Sequence, residues 1–247
     1  MTVEQKPLPG NLGDRVRGLR SPDPRAALFA CDLRDDGTGT DALAPWLSAA
    51  EHTRAARFGT AKLRHRYIVG RAMLRAILGR RLGVPPATVD LERGRRGRPQ
   101  LRAPAVLDFN VSHTADLLLV GLAAGVTIGV DVERADRAIN TNGIARRCLT
   151  AAEQAIVAPL AREAARLEVL ERWTCKEAMS KATGDAMSAP FRRLDIRLGA
   201  GLRLVAGPPP YDPANWALHR VALDGYLATL ALWSGRPVEA SDTGRAD

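Results

Sequence analysis

Arg172-Trp173-Thr174-Cys175-Lys176-Glu177-Ala178-Met179-Ser180-Lys181 has the pattern of a helix. A spacing of four puts Trp173, Glu177 and Lys181 along one face. An aromatic ring, a carboxylate and an ammonium on one stripe suit neither a core face nor a solvated one. The chain has four lysines, Lys6, Lys62, Lys176 and Lys181, and two of them fall in this helix; arginine supplies the positive charge elsewhere. The two cations are not interchangeable, because ammonium is a compact point charge on a flexible stem. Taken alone, the stripe is an ordinary i,i+4 Glu–Lys pair worth a few tenths of a kcal/mol.

Upstream, Ile128-Gly129-Val130-Asp131-Val132-Glu133 alternates as a strand does. Val130 and Val132 face one way, Asp131 and Glu133 the other. Two carboxylates on one strand face repel unless a cation sits between them. Hard oxygen ligands suit Mg²⁺ or Mn²⁺; exposed strand-end carboxylates are the plain alternative. A third carboxylate, Glu177, follows 44 positions after Glu133. With Lys181 and a basic Gly97-Arg98-Pro99 turn, the set suits phosphoryl transfer from a polyphosphate. A metal would neutralise oxygens, cations would hold the remaining charge, and a carboxylate would take the nucleophile's proton.

A second long helix is predicted from Arg64 to Leu82, apolar nearly all the way round and therefore buried on most sides. Arg64, Arg71 and Arg75 share a stripe on it, and either internal carboxylates or a bound phosphate would answer them. Ser48 with Glu51 and Thr150 with Glu153 read as capping boxes opening further helices. Short strands are expected at residues 27–33, 106–111, 117–123, 127–133, 194–198, 202–205, 216–223 and 226–233, with Ala124-Gly125 as a hairpin turn. Phe109-Asn110-Val111-Ser112-His113-Thr114, ending a strand, reads as a ligand-facing segment.

The two long helices can be superposed at an offset of 106, which lays Trp173 on Tyr67 and Glu177 on Arg71. Leu117-Leu118-Leu119-Val120-Gly121-Leu122 resembles Tyr226-Leu227-Ala228-Thr229-Leu230-Ala231. An internal duplication follows: an α+β pseudo-dimer of two similar halves, residues 26–126 and 127–234, with the site between them. Residues 1–25 read as a flexible arm and 235–247 as a disordered tail. On this superposition Trp173 and Tyr67 would pack aromatic rings at the contact between halves.

Composition narrows the partners. The 247 residues are 46% hydrophobic and 26% charged, a globular balance, with a net charge of +9 and a pI near 10.3. The expected partner is an anion. Aromatic residues are only 4%, too few for base-stacking platforms. Cys31, Cys148 and Cys175 form neither a disulfide framework nor a zinc motif. No signal peptide or apolar run long enough to span a membrane is apparent, so a cytoplasmic location is expected.

Together, Gly129-x-Asp131-x-Glu133 and Trp173-x-x-Lys176-Glu177-x-x-x-Lys181 resemble the 4′-phosphopantetheinyl transferases, most closely the long monomeric type that activates nonribosomal peptide and polyketide synthases. The resemblance runs from about Leu43 to about Leu198 and includes Gly97-Arg98-Pro99, the Phe109–His113 segment and Cys148-Leu149-Thr150-x-x-Glu153. It implies a pseudo-dimeric fold and transfer of phosphopantetheine from coenzyme A to a carrier-protein serine, leaving 3′,5′-ADP. It further implies that Asp131, Glu133 and Glu177 hold Mg²⁺ and that Glu177, or a water beside it, deprotonates the serine. Lys181 would stabilise the phosphoryl group in transit. Ser112 and His113 resemble contacts to the 3′-phosphoadenosine end. Arg98 stands where the family often has lysine, and Lys176, Arg66 and Arg71 are further candidate coenzyme A contacts. Coenzyme A and acidic acyl or peptidyl carrier proteins would both suit a basic enzyme. The competing readings are a metal-dependent phosphohydrolase acting on a nucleotide-like pyrophosphate and a basic nucleic-acid-binding module.

Overall fold

The computed structural model describes residues 12–37, 39–102 and 107–235. In chain order the N-terminal half contains α1 (Leu12–Arg15), β1 (Val16–Leu19), β2 (Ala26–Asp32), α2 (Ala49–Ala56), α3 (Ala61–Leu82), β3 (Leu91–Arg93), β4 (Pro99–Leu101), β5 (Leu107–Thr114) and β6 (Leu117–Ala124). The C-terminal half contains β7 (Thr127–Arg134), α4 (Thr141–Cys148), α5 (Ala151–Val157), α6 (Arg162–Thr183), β8 (Asp195–Arg197), β9 (Arg203–Ala206), β10 (Trp216–Arg220) and β11 (Tyr226–Trp233).

Two sheets form the centre, ordered β1-β2-β6-β5 and β10-β11-β7. Strand alternation assigns their faces. On β2, Cys31 joins α3 residues Val69, Met73 and Ile77 in one core, while Ala26, Leu28 and Ala30 turn the other way. There they meet Ile128, Val130 and Val132 of β7 and Leu230 and Leu232 of β11. The opposite face of the second sheet packs on α6, whose Cys175, Ala178 and Met179 join Ala231, Phe191 and Tyr211. The layers therefore run α3, sheet, sheet, α6, an α+β fold of two like halves.

The repeat is sharper than the sequence superposition and has a different register. Helices α3 and α6 each have 22 residues and end on a left-handed glycine, Gly83 (φ 72°) or Gly184 (φ 75°). Glycine adopts that conformation without the Cβ penalty. The helices and strands β2 and β7 all begin 101 residues apart, as 61 to 162 and 26 to 127. The offset of 106 is thus corrected to 101. Arg71 now corresponds to Arg172, Arg75 to Lys176, and Glu177 to Ala76, so Arg71 is not the counterpart of Glu177. Trp173 lies in the C-terminal core 5.6 Å from Phe191, not between the halves. Tyr67 packs on Phe58 at 5.1 Å.

Two further expectations change. Both capping boxes are present as read, but part of the supposed arm is ordered: β1 pairs antiparallel with β2, Val16 opposite Cys31. An edge strand needs only one partner, so Val16-Arg17-Gly18-Leu19 lacks the pattern of a buried one. Residues 1–11 of that arm, residues 236–247 of the expected tail and the start of the strand expected at 106 lie outside the described residues. Lastly, Ala124-Gly125 makes a turn, Gly125 having φ 72°, but no hairpin. Both edges of β6 are taken, by β2 and β5, so β7 crosses into the other sheet.

Two close approaches position the site. A Cβ on Gly121 would stand 2.7 Å from Val130 Cγ1 where the sheets cross. A Cβ on Gly129 would stand 1.8 Å from the Ala178 carbonyl oxygen, so only glycine lets β7 lie directly on the α6 backbone. That contact brings the Asp131–Glu133 strand against the Glu177–Lys181 turn of α6.

Candidate active site

Strands β5 and β7 run parallel but belong to different sheets, and β5 side chains occupy the N–H edge of β7. Asp108 Oδ2 accepts from Ile128 N at 2.8 Å, Asn110 Oδ1 from Val130 N at 3.1 Å and Ser112 Oγ from Val132 N at 3.3 Å. Each pair is 20 residues apart, so the two strands advance in step.

At the upper end of this seam the predicted residues converge. Ser112 Oγ donates to Asp131 Oδ1 at 2.7 Å. Lys181 Nζ donates to Asp131 Oδ1 at 2.6 Å and to Ser112 Oγ at 2.8 Å. Glu133 accepts from Thr114 Oγ1 at 3.2 Å and pairs with Arg137. Glu177 stands beside them. Burial, then the Asp131 charge, pushes its carboxyl above the usual range, with Lys181 opposing. Burial likewise raises Glu133, Arg137 opposes it, and Asp131 adds to the rise. Ser112, Asp131, Glu133, Glu177 and Lys181 thus form one electrostatic unit drawn from both halves.

His113 lies at the rim. Crowding by protein first, then the charges of Lys181 and Arg66, lowers its pKa. Arg66 stands 3.7 Å from Asp116 and helps line a cavity of about 380 Å³ with Leu33, Arg34, Asp35, Lys62 and His65. Sequence reading did not find this cavity, because its walls come from a strand end, a helix start and a turn far apart in the chain.

Three proposed ligand contacts are corrected. Lys176 is 0% exposed, and its ammonium donates to Glu153 Oε2 (2.5 Å), Cys148 O (2.8 Å) and Phe191 O (3.0 Å). Those acceptors use the ammonium's donor capacity, so it faces the core. Arg71 Nε donates to Glu51 Oε1 at 2.8 Å, the internal carboxylate its stripe called for. Arg75 joins it through Glu51 Oε2 at 2.7 Å. Arg98 Nη2 donates to Asp108 Oδ2 (2.8 Å), Ile128 O (3.0 Å) and Phe109 O (3.2 Å), so the guanidinium points into the seam. Asp108 and Arg137 went unnoticed as site neighbours, whereas Asn110 lies in the segment read as ligand-facing. The polar residues at every second position from Asp108 to Thr114 were the available signal.

Among the described residues, no three Asp, Glu, His or Cys side chains close around a common point. Asp131 Oδ1 and Glu133 already have cationic partners. Yet Asp131 Oδ2 and Glu177 Oε1 are buried with no hydrogen-bond partner. Orphaned carboxylate oxygens of this kind are costly unless a cation or donor reaches them. The donor set, hard oxygens only, therefore fits a divalent cation such as Mg²⁺.

A fold of two like halves with carboxylates, a lysine and a basic rim between them has the make-up of an enzyme site suited to an anionic ligand. Residues 40–126 match the 4′-phosphopantetheinyl transferase N-terminal family and residues 127–231 the 4′-phosphopantetheinyl transferase superfamily. The chain is 36% identical over 159 residues, 63% of its length and 67% of the relative's, to 4′-phosphopantetheinyl transferase HetI of Nostoc sp.. It is 25% identical over 187 residues, 69% of its length but only 59% of the relative's, to the human L-aminoadipate-semialdehyde dehydrogenase-phosphopantetheinyl transferase. The solved holo-[acyl-carrier-protein] synthase of Thermotoga maritima aligns with 45% of this chain and 64% of that one at a TM-score of 0.36 and 21% identity. The chain belongs to the 4′-phosphopantetheinyl transferase family. Among the described residues, no helix is long and apolar enough to cross a membrane.

Proposed function

We propose that this protein transfers 4′-phosphopantetheine from coenzyme A to a serine hydroxyl of an acyl or peptidyl carrier protein. The serine Oγ–P bond forms, the pyrophosphate P–O bond breaks, and 3′,5′-ADP leaves. Two buried, partnerless carboxylate oxygens beside a lysine, in a chain of this family, are the observation that carries the reading.

Asp131, Glu133 and Glu177 would hold Mg²⁺. Bound there, the cation would neutralise pyrophosphate oxygens and polarise the phosphorus under attack. Glu177 takes the serine proton directly or through water. Lys181, held by Asp131 and Ser112, presents its ammonium to the phosphoryl group in transit. His113 and Arg66 meet the phosphoadenosine end. The same rim of positive charge draws in acidic carrier proteins. We further infer a cytoplasmic location and, since the pseudo-dimer supplies both sides of the site from one chain, a monomer.

The test is mass spectrometry of an apo carrier protein incubated with coenzyme A and Mg²⁺. The carrier gains the mass of one phosphopantetheine group. Glu177→Gln slows that gain about 10²- to 10⁴-fold if Glu177 is the base. Equal labelling by wild type and Asp131→Ala overturns the metal assignment. Free phosphopantetheine released without a carrier identifies a phosphohydrolase instead.

A further inference from the structure

The seam between β5 and β7 joins the halves through side chains, and its far end is locked by Arg98. We propose that Arg98 is a positioning residue, acting through Asp108 to hold β7 where Asp131 and Glu133 can work with Glu177 and Lys181. This rests on the transferase reading for what those carboxylates do. It assigns Arg98 a role different from the ligand contact that its place in Gly97-Arg98-Pro99 implies.

In a main-chain ladder the acceptors for the N–H groups of Ile128, Val130 and Val132 would be carbonyls fixed by their own backbone. Here they are side-chain oxygens on rotatable bonds, so each needs an anchor of its own. Ser112 is anchored at one end of the seam by Lys181 and Asp131. Asp108 is anchored at the other by Arg98 at 2.8 Å. The same Arg98 nitrogen reaches Phe109 O on β5 and Ile128 O on β7, so one guanidinium spans both strands. Ile128 is tied twice, its N–H to Asp108 and its C=O to Arg98.

Any slip at Ile128 is passed on to the carboxylates. Gly129 follows directly and lies on the α6 backbone without a side chain to cushion the contact. Asp131 is two residues further, already bonded to Lys181 of α6. Release of Arg98 therefore lets β7 shift along α6 and misaligns Asp131 against Glu177. Arg98 is itself largely buried, and among the described residues its Nε has no hydrogen-bond partner.

The experiment compares Arg98→Lys, Arg98→Ala, Asp108→Asn and the double variant Arg98→Ala/Asp108→Asn in the full chain, after thermal melts establish which are folded. Amide hydrogen exchange followed by NMR should quicken severalfold at Ile128, Val130 and Val132. The amides of Gly129, Asp131 and Glu133, on the β11 side of the strand, should keep the wild-type rate. Mn²⁺ affinity, read from the electron paramagnetic resonance of the free ion, should weaken about 10- to 100-fold, as loss of an outer-shell partner does elsewhere. Affinity for 3′,5′-ADP by calorimetry should stay at the wild-type value. The double variant should be no worse than either single one, because the pair acts as a unit. Arg98→Lys keeps the charge, but its ammonium stops one bond short of the Nη2 position that reaches Asp108, Phe109 O and Ile128 O, so it should share the fast exchange. Unchanged exchange with lost 3′,5′-ADP affinity, restored by lysine, would make Arg98 a ligand contact and overturn the proposal. Fast exchange with unchanged Mn²⁺ affinity and unchanged carrier labelling would overturn it as well. If wild type binds no Mn²⁺ and labels no carrier, the transferase reading fails, and exchange alone then decides whether Arg98 holds the seam.

Discussion

The two halves solve one structural problem in the same way, and the candidate site's carboxylates and lysine stand in only one of them. In the N-terminal half Glu51, opening α2 in a capping box, receives Arg71 and Arg75 of α3. In the C-terminal half Glu153, opening α5 in a capping box, receives Lys176 at 2.5 Å and Arg172 at 3.7 Å from α6. Both clusters staple a short helix to a long one, and both also satisfy carbonyls of the loop beyond the helix. The positions of Asp131, Glu177 and Lys181 have Ala30, Ala76 and Arg80 as counterparts. The staple is thus common scaffold, while the candidate site's carboxylates and lysine belong to one copy and meet Ser112 and His113 of the other. A charged residue on the organising helix need not be functional: Lys176 belongs to the staple, and its neighbour Glu177 to the site.

The comparison can be broken at its tightest point. Lys176→Met leaves Glu153 buried and without its closest cation, so stability should drop by about 3–5 kcal/mol in urea titration. Carrier labelling per folded molecule should persist; its loss at unchanged stability would return Lys176 to the ligand contacts. The matching change in the other half is milder. Arg71→Ala leaves Glu51 paired with buried Arg75, so about 1–2 kcal/mol is expected in the same titration. A loss equal to that of Lys176→Met would mean that the two staples are not equivalent.

The smallest effect concerns the contact between halves, where Asp23 meets His219 of β10 at 3.4 Å. The Arg25 side chain bonded to Asp23 holds its carboxyl down at about 2 against an ordinary 3.8, with burial opposing. A lowered folded pKa contributes stability above the unfolded value and loses it as pH falls through the folded one. The melting-temperature gap between wild type and Asp23→Asn should therefore be full above pH 3.8 and close as pH falls toward about 2. A gap constant across that window would remove Asp23 from the acid response.

Sequence periodicity, caps and spacing were enough for the two long helices, the capping boxes, most strands and the existence of a repeat, because each is a local pattern in the chain. Asp131, Glu133, Glu177 and Lys181 were legible as a set for the same reason: alternation on a strand and a spacing of four on a helix put charges on one face. What local pattern could not supply was which charge answers which. Arg71, Arg98 and Lys176 each looked available for a ligand, and each meets a carboxylate from another segment instead. The register of the repeat, the parting of β6 from β7 and the seam along β5 were likewise settled only by packing. A buried cation's partner is set by which elements meet in space, and a chain read in one dimension does not carry that distance.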